Sequence, residues 1–344
     1  MRLLVSALEY SANLHLASLL QYTQDITLKG IFSKELGSPI IDMQDKAIMG
    51  FSDAIKNLPF FYKLANKMVK EAANVDKVLL IDSSGFNLPL AKKLKKHYPN
   101  LELIYYILPQ AWAWKRKRIY TLTNTIDKLL SILPFEKEIY PKEANIEYVG
   151  HPLLDKITFS KEIPKTTEHI LFMPGSRVSE ITKLMPIFQK IAKELKNKEL
   201  FLAVPPFLKN KLQIYGDISN FNIVFDSYKA LQKADFAFIC SGTATLEAAL
   251  MNTPFVLVYK AKPIDFLIGK HLVKLNYIGL ANIFFEKMGK APMHLEFLQD
   301  EVTPKNLLQA FYSFDFSKFD KNNKILRNYL KHGSAKKVAT ILQQ

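Results

Sequence analysis

A chain of 344 residues is too long for one ordinary hydrophobic core, so we expect about two domains. With 49% hydrophobic, 12% aromatic and 23% charged residues, the composition is that of a folded globular protein and excludes disordered, collagen-like and low-complexity classes. The net charge of +15 favours an anionic partner, which could be nucleic acid, an anionic membrane or a phosphorylated small molecule.

The sequence indicates a reducing compartment and predicts no membrane-spanning segment. Cys240 is the only cysteine, so no internal disulfide can form, and no Cys/His set has the spacing of a zinc site. No run reaches the ~18 to 20 apolar residues of a spanning helix, and Glu9 interrupts the first apolar run before a signal peptide forms. We expect a cytoplasmic protein, with peripheral membrane contact left open.

Short apolar strand patterns alternate with longer helical patterns along the chain. The predicted strands are Arg2–Ala7, Lys77–Asp82, Leu103–Ile107, Lys128–Ile132, Ile146–Val149, His169–Met173, Leu200–Val204, Asn222–Val224, Phe236–Cys240 and Phe255–Tyr259. The predicted helices between them are Leu14–Gln21, Phe60–Ala73, Leu88–His97, Lys183–Leu195, Tyr228–Lys233 and Thr245–Met251. This alternation predicts an α/β fold with parallel sheets covered on both faces.

Two groups of five strands, separated by a polar stretch at 150–167, predict two Rossmann-like halves. We place the domains at 1–155 and 156–310, followed by a helical segment at 311–344 that could cross back to the first domain. Ligands of open parallel sheets bind at the carboxyl ends of the strands, so the loops there are the places to look for chemistry.

Two loops of the second half resemble phosphate-binding turns. Ser176 and Arg177 follow one strand, where helix amides attract an anion and an arginine can form bidentate phosphate contacts. Ser241-Gly242-Thr243-Ala244 follows another strand, and Glu247, one turn later, can accept hydrogen bonds from a ribose diol. The alternatives are an ordinary turn with a solvated arginine and a first-turn glutamate favoured by the helix dipole.

Two carboxylates follow predicted strands of the first half, Glu9 and Asp82. A carboxylate at the carboxyl end of a parallel strand is well placed to act as a general base. An aspartate at such a position more often caps the next helix, and the pattern leaves both roles open.

Two further segments combine aromatic and basic residues. Trp112 and Trp114 precede Lys117 and Arg118, a pattern compatible with nucleic acid, a sugar phosphate, a membrane surface or a structural role. The stretch 51–64 is typical of an interfacial membrane segment, because lysines flank an apolar cluster of Phe51, Ile55, Leu58, Phe60 and Phe61. A buried helix is the alternative, but residues 60–62 cannot share one helical face. The stretch 265–275 has a similar character.

Taken in order, these motifs resemble the lipid-A-disaccharide synthases, bacterial glycosyltransferases of family 19. The resemblance runs from Ser6 to about Gln299. It is carried by Met49-Gly50, Ile81-Asp82 with Phe86-Asn87, Pro109 with Trp112-Ala113-Trp114 and Lys117-Arg118, Pro134-Phe135-Glu136, Gly150-His151-Pro152, Pro174-Gly175-Ser176-Arg177 with Glu180, Ser241-Gly242-Thr243-Ala244 with Leu246-Glu247, Asn282, and Glu296-Phe297-Leu298-Gln299.

The resemblance implies a GT-B fold, with two Rossmann-like domains whose parallel sheets face each other across a cleft. It implies inverting transfer of 2,3-diacylglucosamine from UDP-2,3-diacylglucosamine to the 6-hydroxyl of 2,3-diacylglucosamine 1-phosphate (lipid X), giving a β-1,6 disaccharide 1-phosphate and UDP. It implies no metal and no cofactor, an anionic inner-membrane surface as a partner, and no nucleic acid. The enzyme would lie on the cytoplasmic face of that membrane.

The resemblance also implies roles for particular residues. Asp82 would be the base, with Glu9 and Arg177 as further catalytic residues. The donor would contact Ser176, Arg177, Ser241, Gly242, Thr243, Ala244, Glu247 and Asn282. The acceptor or the membrane would contact Phe51, Ile55, Leu58, Phe60, Phe61, Trp112, Trp114, Lys117 and Arg118.

Departures from the family pattern fall on the acceptor side. The first loop, typically Gly-Glu-x-Ser-Gly-Asp, here reads Leu8-Glu9-Tyr10-Ser11-Ala12-Asn13, and Ser84-Gly85 replaces the usual Pro-Asp. A second carboxylate after Asp82 is therefore missing. Two alternatives stay open: another UDP-sugar GT-B enzyme, such as an N-acetylglucosaminyltransferase or a UDP-GlcNAc epimerase, and a basic nucleic-acid-binding protein without enzymatic activity.

Overall fold

The computed structural model describes residues 1–43, 58–260 and 275–344. They form two compact units: Met1–Asp155 with Leu330–Gln344, and Lys156–Tyr329. The second unit thus extends beyond the predicted boundary at 310. The physical reason is aromatic packing, because Phe319 lies 5.9 Å from Phe255, centroid to centroid, and so belongs to the core of the second unit.

The first unit contains a six-stranded parallel sheet in the order β2-β1-β3-β4-β5-β6. Its strands are β1 (Arg2–Ser6), β2 (Thr27–Ile31), β3 (Lys77–Ile81), β4 (Glu102–Tyr106), β5 (Lys128–Ser131) and β6 (Ile146–Tyr148). The accompanying helices are α1 (Tyr10–Leu20), α2 (Leu58–Glu71), α3 (Ser84–His97), α4 (Lys117–Thr125) and α5 (Pro152–Lys156), the last at the boundary between the units.

The second unit contains a six-stranded parallel sheet in the order β12-β11-β10-β7-β8-β9. Its strands are β7 (His169–Met173), β8 (Glu199–Ala203), β9 (Asn222–Val224), β10 (Phe236–Cys240), β11 (Phe255–Tyr259) and β12 (Glu296–Leu298). Its helices are α6 (Val178–Glu194), α7 (Ser227–Lys233), α8 (Thr243–Met251), α9 (Leu280–Lys287), α10 (Pro304–Tyr312) and α11 (Phe316–Leu330). The chain ends in α12 (Ser334–Gln343), whose apolar face packs with α1 in the first unit.

Both sheets are buried on both faces, as parallel sheets usually are. In β1, Leu3 and Val5 belong to one core cluster and Leu4 to the other, because successive side chains of a strand point to opposite faces. In the second unit, Phe172 of β7 stacks on Phe238 of β10 at 5.1 Å between centroids. The α/β fold with two Rossmann-like parallel sheets is therefore confirmed.

Both sheets place a crevice at the point where the strand order reverses. In the first unit, β1 lies between β2 and β3, and in the second unit, β7 lies between β8 and β10. Loops leaving such neighbouring strands diverge to opposite sides of the sheet and open a ligand site at their carboxyl ends. The loops after β1, β3, β7 and β10 therefore define the two candidate sites.

Two strands, β2 and β12, are absent from the strands predicted from the sequence. Both are edge strands, β2 is only partly buried, and β12 has only three residues, so neither carries a strong apolar pattern. Within the described ranges, no helix is both long enough and apolar enough to cross a bilayer.

Candidate active site

The turn that carries Asp82 is held by a buried amide. Asp82 and Ser83 adopt left-handed backbone conformations with φ of +50° and +43°. The Asn87 side chain, fully buried, donates to the Asp82 carbonyl at 2.8 Å and accepts from the Ser6 hydroxyl at 2.6 Å. The Tyr105 hydroxyl donates to the same Asp82 carbonyl. These contacts compensate for the strain of the turn and fix the direction of the Asp82 side chain.

The neighbouring loop, which carries Glu9, is held by a second buried amide. Asn13 donates to the carbonyls of Ala7 at 3.0 Å and Glu9 at 2.9 Å, and its oxygen accepts from the Ser33 amide at 2.6 Å. An ionised aspartate, which is the usual family residue here, could not donate to those two carbonyls. Asn13 therefore clamps the loop that carries Glu9.

Glu9 and Asp82 are electrostatic neighbours. The Ser83 hydroxyl donates to Glu9 Oε1 at 3.2 Å, which keeps the glutamate beside the Asp82 turn. Burial raises the pKa of Asp82, and the negative charge of Glu9 raises it further, against a smaller lowering by the Ser83 amide. A carboxylate with a raised pKa is a stronger proton acceptor, as general-base catalysis requires.

A cleft of about 960 Å³ opens beside these two acids, wholly within the first unit. We call it the Asp82 cleft. Most of its walls are apolar, with lysines at two positions, and it is lined by Glu9, Leu58, Pro59, Phe61, Tyr62, Lys63, Ala65, Asp82, Ser83, Ser84, Gly85, Phe86, Pro89 and Lys93. An apolar cleft with a few polar groups is the usual form of a small-molecule site.

The loop that carries Trp112, Trp114, Lys117 and Arg118, here called the aromatic-basic loop, has a buried part and an exposed part. Arg118 donates to the Ser84 hydroxyl at 3.1 Å, and its guanidinium lies 5.3 Å from the centroid of the exposed Trp114 ring. Lys117 is exposed at the start of α4. Trp112, by contrast, is buried edge-on against Phe135 at 5.2 Å between ring centroids, and its contact with acceptor or membrane stays a prediction.

The predicted interfacial segment is only partly described. Phe51 and Ile55 lie outside the described residues, as does nearly all of the stretch 265–275. Phe60 and Phe61 are half-buried against the core of the first unit, whereas Leu58 and Tyr62 are 62% and 61% exposed. Three successive aromatic residues thus do point to different faces of α2, and Phe61 reaches the Asp82 cleft.

A buried acid, to which the sequence assigned no role, lies next to Phe135, the residue that packs on Trp112. Glu136 follows β5, is 1% exposed, and bonds through one carboxyl oxygen to the Ser131 hydroxyl. Its other carboxyl oxygen has no protein partner among the described residues. Burial raises the pKa of Glu136 to about 8, so its carboxyl is largely protonated at neutral pH.

We expect the protonation of Glu136 to appear in the stability of the protein. Because its folded pKa of about 8 exceeds the ordinary value near 4.5, its contribution is complete below pH 4.5 and is lost as the pH rises through 8. Compared with Glu136→Gln, the wild type should lose roughly 3 to 5 kcal/mol of unfolding free energy over that window. Denaturant melts from pH 5 to 9 measure this, with the exposed Glu138→Gln as control. Parallel curves for wild type and Glu136→Gln would contradict the assignment.

In the second unit, the loop after β7 is organised around Glu180. Its buried carboxylate accepts from the amides of Ser176 and Arg177 at 3.3 Å each and from Arg177 Nη1 at 2.9 Å. Gly175 has φ of +99°, and a Cβ there would lie 2.4 Å from Glu180 Oε2. Only glycine therefore allows this closure, while Arg177 stays 75% exposed and available to a ligand.

A second cleft, the Arg177 cleft, has about 330 Å³ and lies wholly within the second unit. Its lining includes the strand end at Met173, Ser176, Arg177 and the turn Ser241-Gly242-Thr243-Ala244, where α8 begins. The predicted loops after β7 and β10 therefore meet at one site. Exposed amides beside a helix start and an arginine suit a phosphorylated ligand.

Two other predicted donor residues have different surroundings. Glu247 is partly buried in α8, 3.6 Å from Lys156 Nζ, and burial raises its pKa against the lowering effect of that lysine. Asn282 is fully buried, donates to the His294 carbonyl and to Glu296, and accepts from two backbone amides. Because its amide is fully engaged inside the unit, Asn282 fixes α9 to β12, and its contact with the donor stays a prediction.

This chain is similar in sequence to known proteins over nearly its whole length. Residues 3–341 match the family model of lipid-A-disaccharide synthetase. The lipid-A-disaccharide synthase of Helicobacter pylori strain G27 is 47% identical over 98% of this chain and 96% of its own. That of Campylobacter jejuni strain NCTC 11168 is 47% identical over 99% of both chains.

Solved structures with the same fold are more distant in sequence. MurG of Acinetobacter baumannii has a TM-score of 0.60 at 16% identity and covers 99% of both chains. The UDP-GlcNAc 2-epimerase of Neisseria meningitidis, bound to UDP-GlcNAc, has a TM-score of 0.65 at 12% identity over 100% of both chains. Together with the two parallel sheets, these similarities confirm the predicted GT-B fold class.

Proposed function

This chain belongs to the lipid-A-disaccharide synthetase family, and from that premise we propose the reaction it catalyses. It transfers 2,3-diacylglucosamine from UDP-2,3-diacylglucosamine to the 6-hydroxyl of 2,3-diacylglucosamine 1-phosphate. The products are the β-1,6 tetraacyl disaccharide 1-phosphate and UDP. The observation that carries the proposal is an acid with a raised pKa at the switch point of the first sheet, beside a 960 Å³ apolar cleft.

In the proposed step, Asp82 is the general base. The acceptor 6-oxygen attacks the anomeric carbon while its proton passes to the Asp82 carboxylate. The bond from that carbon to the UDP oxygen breaks, and its electron pair leaves on UDP. Configuration inverts because a single displacement takes place, and a positioned base of this kind contributes ~10²- to 10⁴-fold to rate.

The Arg177 cleft supports binding of the leaving UDP. Charge grows on the diphosphate as the sugar departs, and fixed donors aimed at developing charge are an effective source of catalysis. Arg177 offers its guanidinium, and the turn at Ser241-Gly242-Thr243-Ala244 offers backbone amides. The proposal assigns Glu247 to the ribose and requires no metal or cofactor.

The structure gives different weight to the alternatives. An epimerase shares the fold but needs no acylated acceptor, so the apolar Asp82 cleft favours a lipid-like acceptor in this chain. A nucleic-acid-binding protein would use its tryptophans to stack on bases. Trp112 is buried and cannot stack on a base, which leaves only Trp114 of the two tryptophans for such a role.

The reaction itself is the direct test. Purified protein given both acylated substrates should release UDP and form the disaccharide. Asp82→Asn removes the base and Arg177→Ala removes a donor to the leaving UDP, so each should reduce kcat by ~10²-fold or more. The circular dichroism spectrum of each variant should be unchanged. Lys209→Ala in the second unit, outside the lining of both clefts, is a control. No UDP release by the wild type would refute the proposal.

Glu9 provides a separate test through pH dependence. Its charge raises the pKa of Asp82, so Glu9→Gln should lower that pKa. Because Asp82 must be ionised to accept a proton, the acidic limb of the kcat/KM profile should move to lower pH in Glu9→Gln. A profile with an unchanged acidic limb would show that Asp82 ionisation does not control the rate.

We infer that the protein docks on an anionic bilayer at the cytoplasmic face of the inner membrane, and the surface of α2 supports this inference. Leu58 and Tyr62 are exposed one turn apart, and Lys67 and Lys70 are exposed further along the same helix. Apolar side chains with nearby lysines are typical of segments that enter the headgroup region. Docking there would bring an acylated acceptor to the Asp82 cleft.

We expect Leu58→Ser with Tyr62→Ser to reduce binding to anionic phospholipid vesicles severalfold, because exposed apolar area drives insertion. Sedimentation with vesicles measures the bound fraction. Tyr312→Ser, at an equally exposed tyrosine of the second unit, serves as the matched control. Equal binding by the double variant and the wild type would place the membrane contact elsewhere.

A further inference from the structure

The Asp82 cleft is a groove between two packed helices, with acids at one end. On α3 its lining follows one stripe, Phe86, Pro89 and Lys93, at spacings of three and four residues, and Asp82 lies in the turn before the helix. Such spacing places side chains on one helical face. From α2, Leu58, Phe61, Tyr62, Lys63 and Ala65 form the opposite wall. The groove therefore begins at an acid and ends at a lysine.

The ammonium group of Lys93 is held in a defined position. It lies 3.5 Å from the centroid of the Tyr62 ring and donates to Asn66 Oδ1 at 2.8 Å, both on α2. In the described part of the chain, no carboxylate pairs with it. A lysine has three donors, so Lys93 keeps donors for a ligand. Lys63 brings a second cation to the same groove.

The charges of the groove are thus separated along its length. Glu9 and Asp82 are negative at one end, and Lys63 and Lys93 are positive elsewhere on the lining. A phosphomonoester is repelled by the acids and attracted by the lysines, and in a partly desolvated groove both effects are stronger than in bulk water. Lysine binds phosphate as a compact point charge.

We propose that Lys93, assisted by Lys63, is the subsite for the phosphate of the acceptor. This inference rests on the proposed function and deepens it. With the phosphate at Lys93, the acceptor lies in the groove with its 6-hydroxyl toward Asp82. Lys93 is then a specificity-determining residue, which selects a phosphorylated sugar and sets its direction in the groove.

The dimensions of α3 are compatible with this arrangement. Lys93 lies nine residues after Ser84, where α3 begins, which is about 14 Å along the axis at the rise of an α-helix. Long side chains on a helix lean toward its N-terminus, which is the end of α3 that follows Asp82. One pyranose ring with a phosphate and an exocyclic hydroxymethyl group can bridge the distance between the Lys93 ammonium and the Asp82 carboxylate.

The test compares two acceptors in neutral detergent micelles without phospholipid: the acylated glucosamine 1-phosphate and the same sugar without phosphate. For Lys93→Gln, kcat/KM for the phosphorylated acceptor should fall ~10- to 100-fold, mainly through KM, as expected for loss of a charge-assisted contact. Transfer to the dephosphorylated acceptor and the KM for the donor should not change. Lys92→Gln, an exposed neighbour outside the groove lining, is the matched control and should behave as wild type.

Different failures have different readouts. An equal loss with both acceptors would overturn the inference and assign Lys93 to the packing of α2 on α3. A loss seen only with anionic vesicles and absent in neutral micelles would also overturn it, because the lysine would then serve the lipid surface. If the wild type releases UDP with neither acceptor, the proposed function fails and the inference fails with it. Transfer by the wild type with no effect of Lys93→Gln would refute the subsite alone.

Discussion

The hydrogen bonds of Asn87 are the interaction on which the candidate active site most depends. Its amide is fully buried and joins β1, through Ser6, to the left-handed turn that carries Asp82. Loss of such an amide would leave buried partners unsatisfied, at a cost of about 1 to 3 kcal/mol each. The position of Asp82 is therefore stabilised by buried contacts in the core of the first unit, and it does not have to depend on contacts within the cleft.

In the second unit, the buried carboxylate of Glu180 has the structural role that the buried amide of Asn87 has in the first unit. Glu180 is buried beneath the loop after β7 and binds the amides of Ser176 and Arg177. In both units a buried polar side chain shapes the turn after a central strand, and the chemical group is presented outside it. This arrangement explains how an exposed Arg177 and a half-buried Asp82 can both be oriented by surrounding structure.

The departures from the family pattern have a physical explanation in two places. Asn13 clamps the first loop by donating to two carbonyls, which an ionised aspartate could not do. Where the family has Pro-Asp, this chain has Ser84-Gly85: the Ser84 hydroxyl accepts from Arg118, and Gly85 in place of the aspartate has no side chain. Glu9, in the loop after the adjacent strand β1, is then the second acid beside Asp82, and the site keeps two acids from different loops.

The alternation of strands and helices determined the fold class, because apolar periodicity is a local property of the chain, and glycine turns and strand-end acids located the loops. Only the tertiary structure decided burial. It placed Trp112 and Asn282 inside, exposed Leu58 and Tyr62 on one helix, and brought Lys93 of α3 into the groove with α2. It also determined that α11 belongs to the second unit. Burial depends on contacts between distant segments, and no local pattern contains that information.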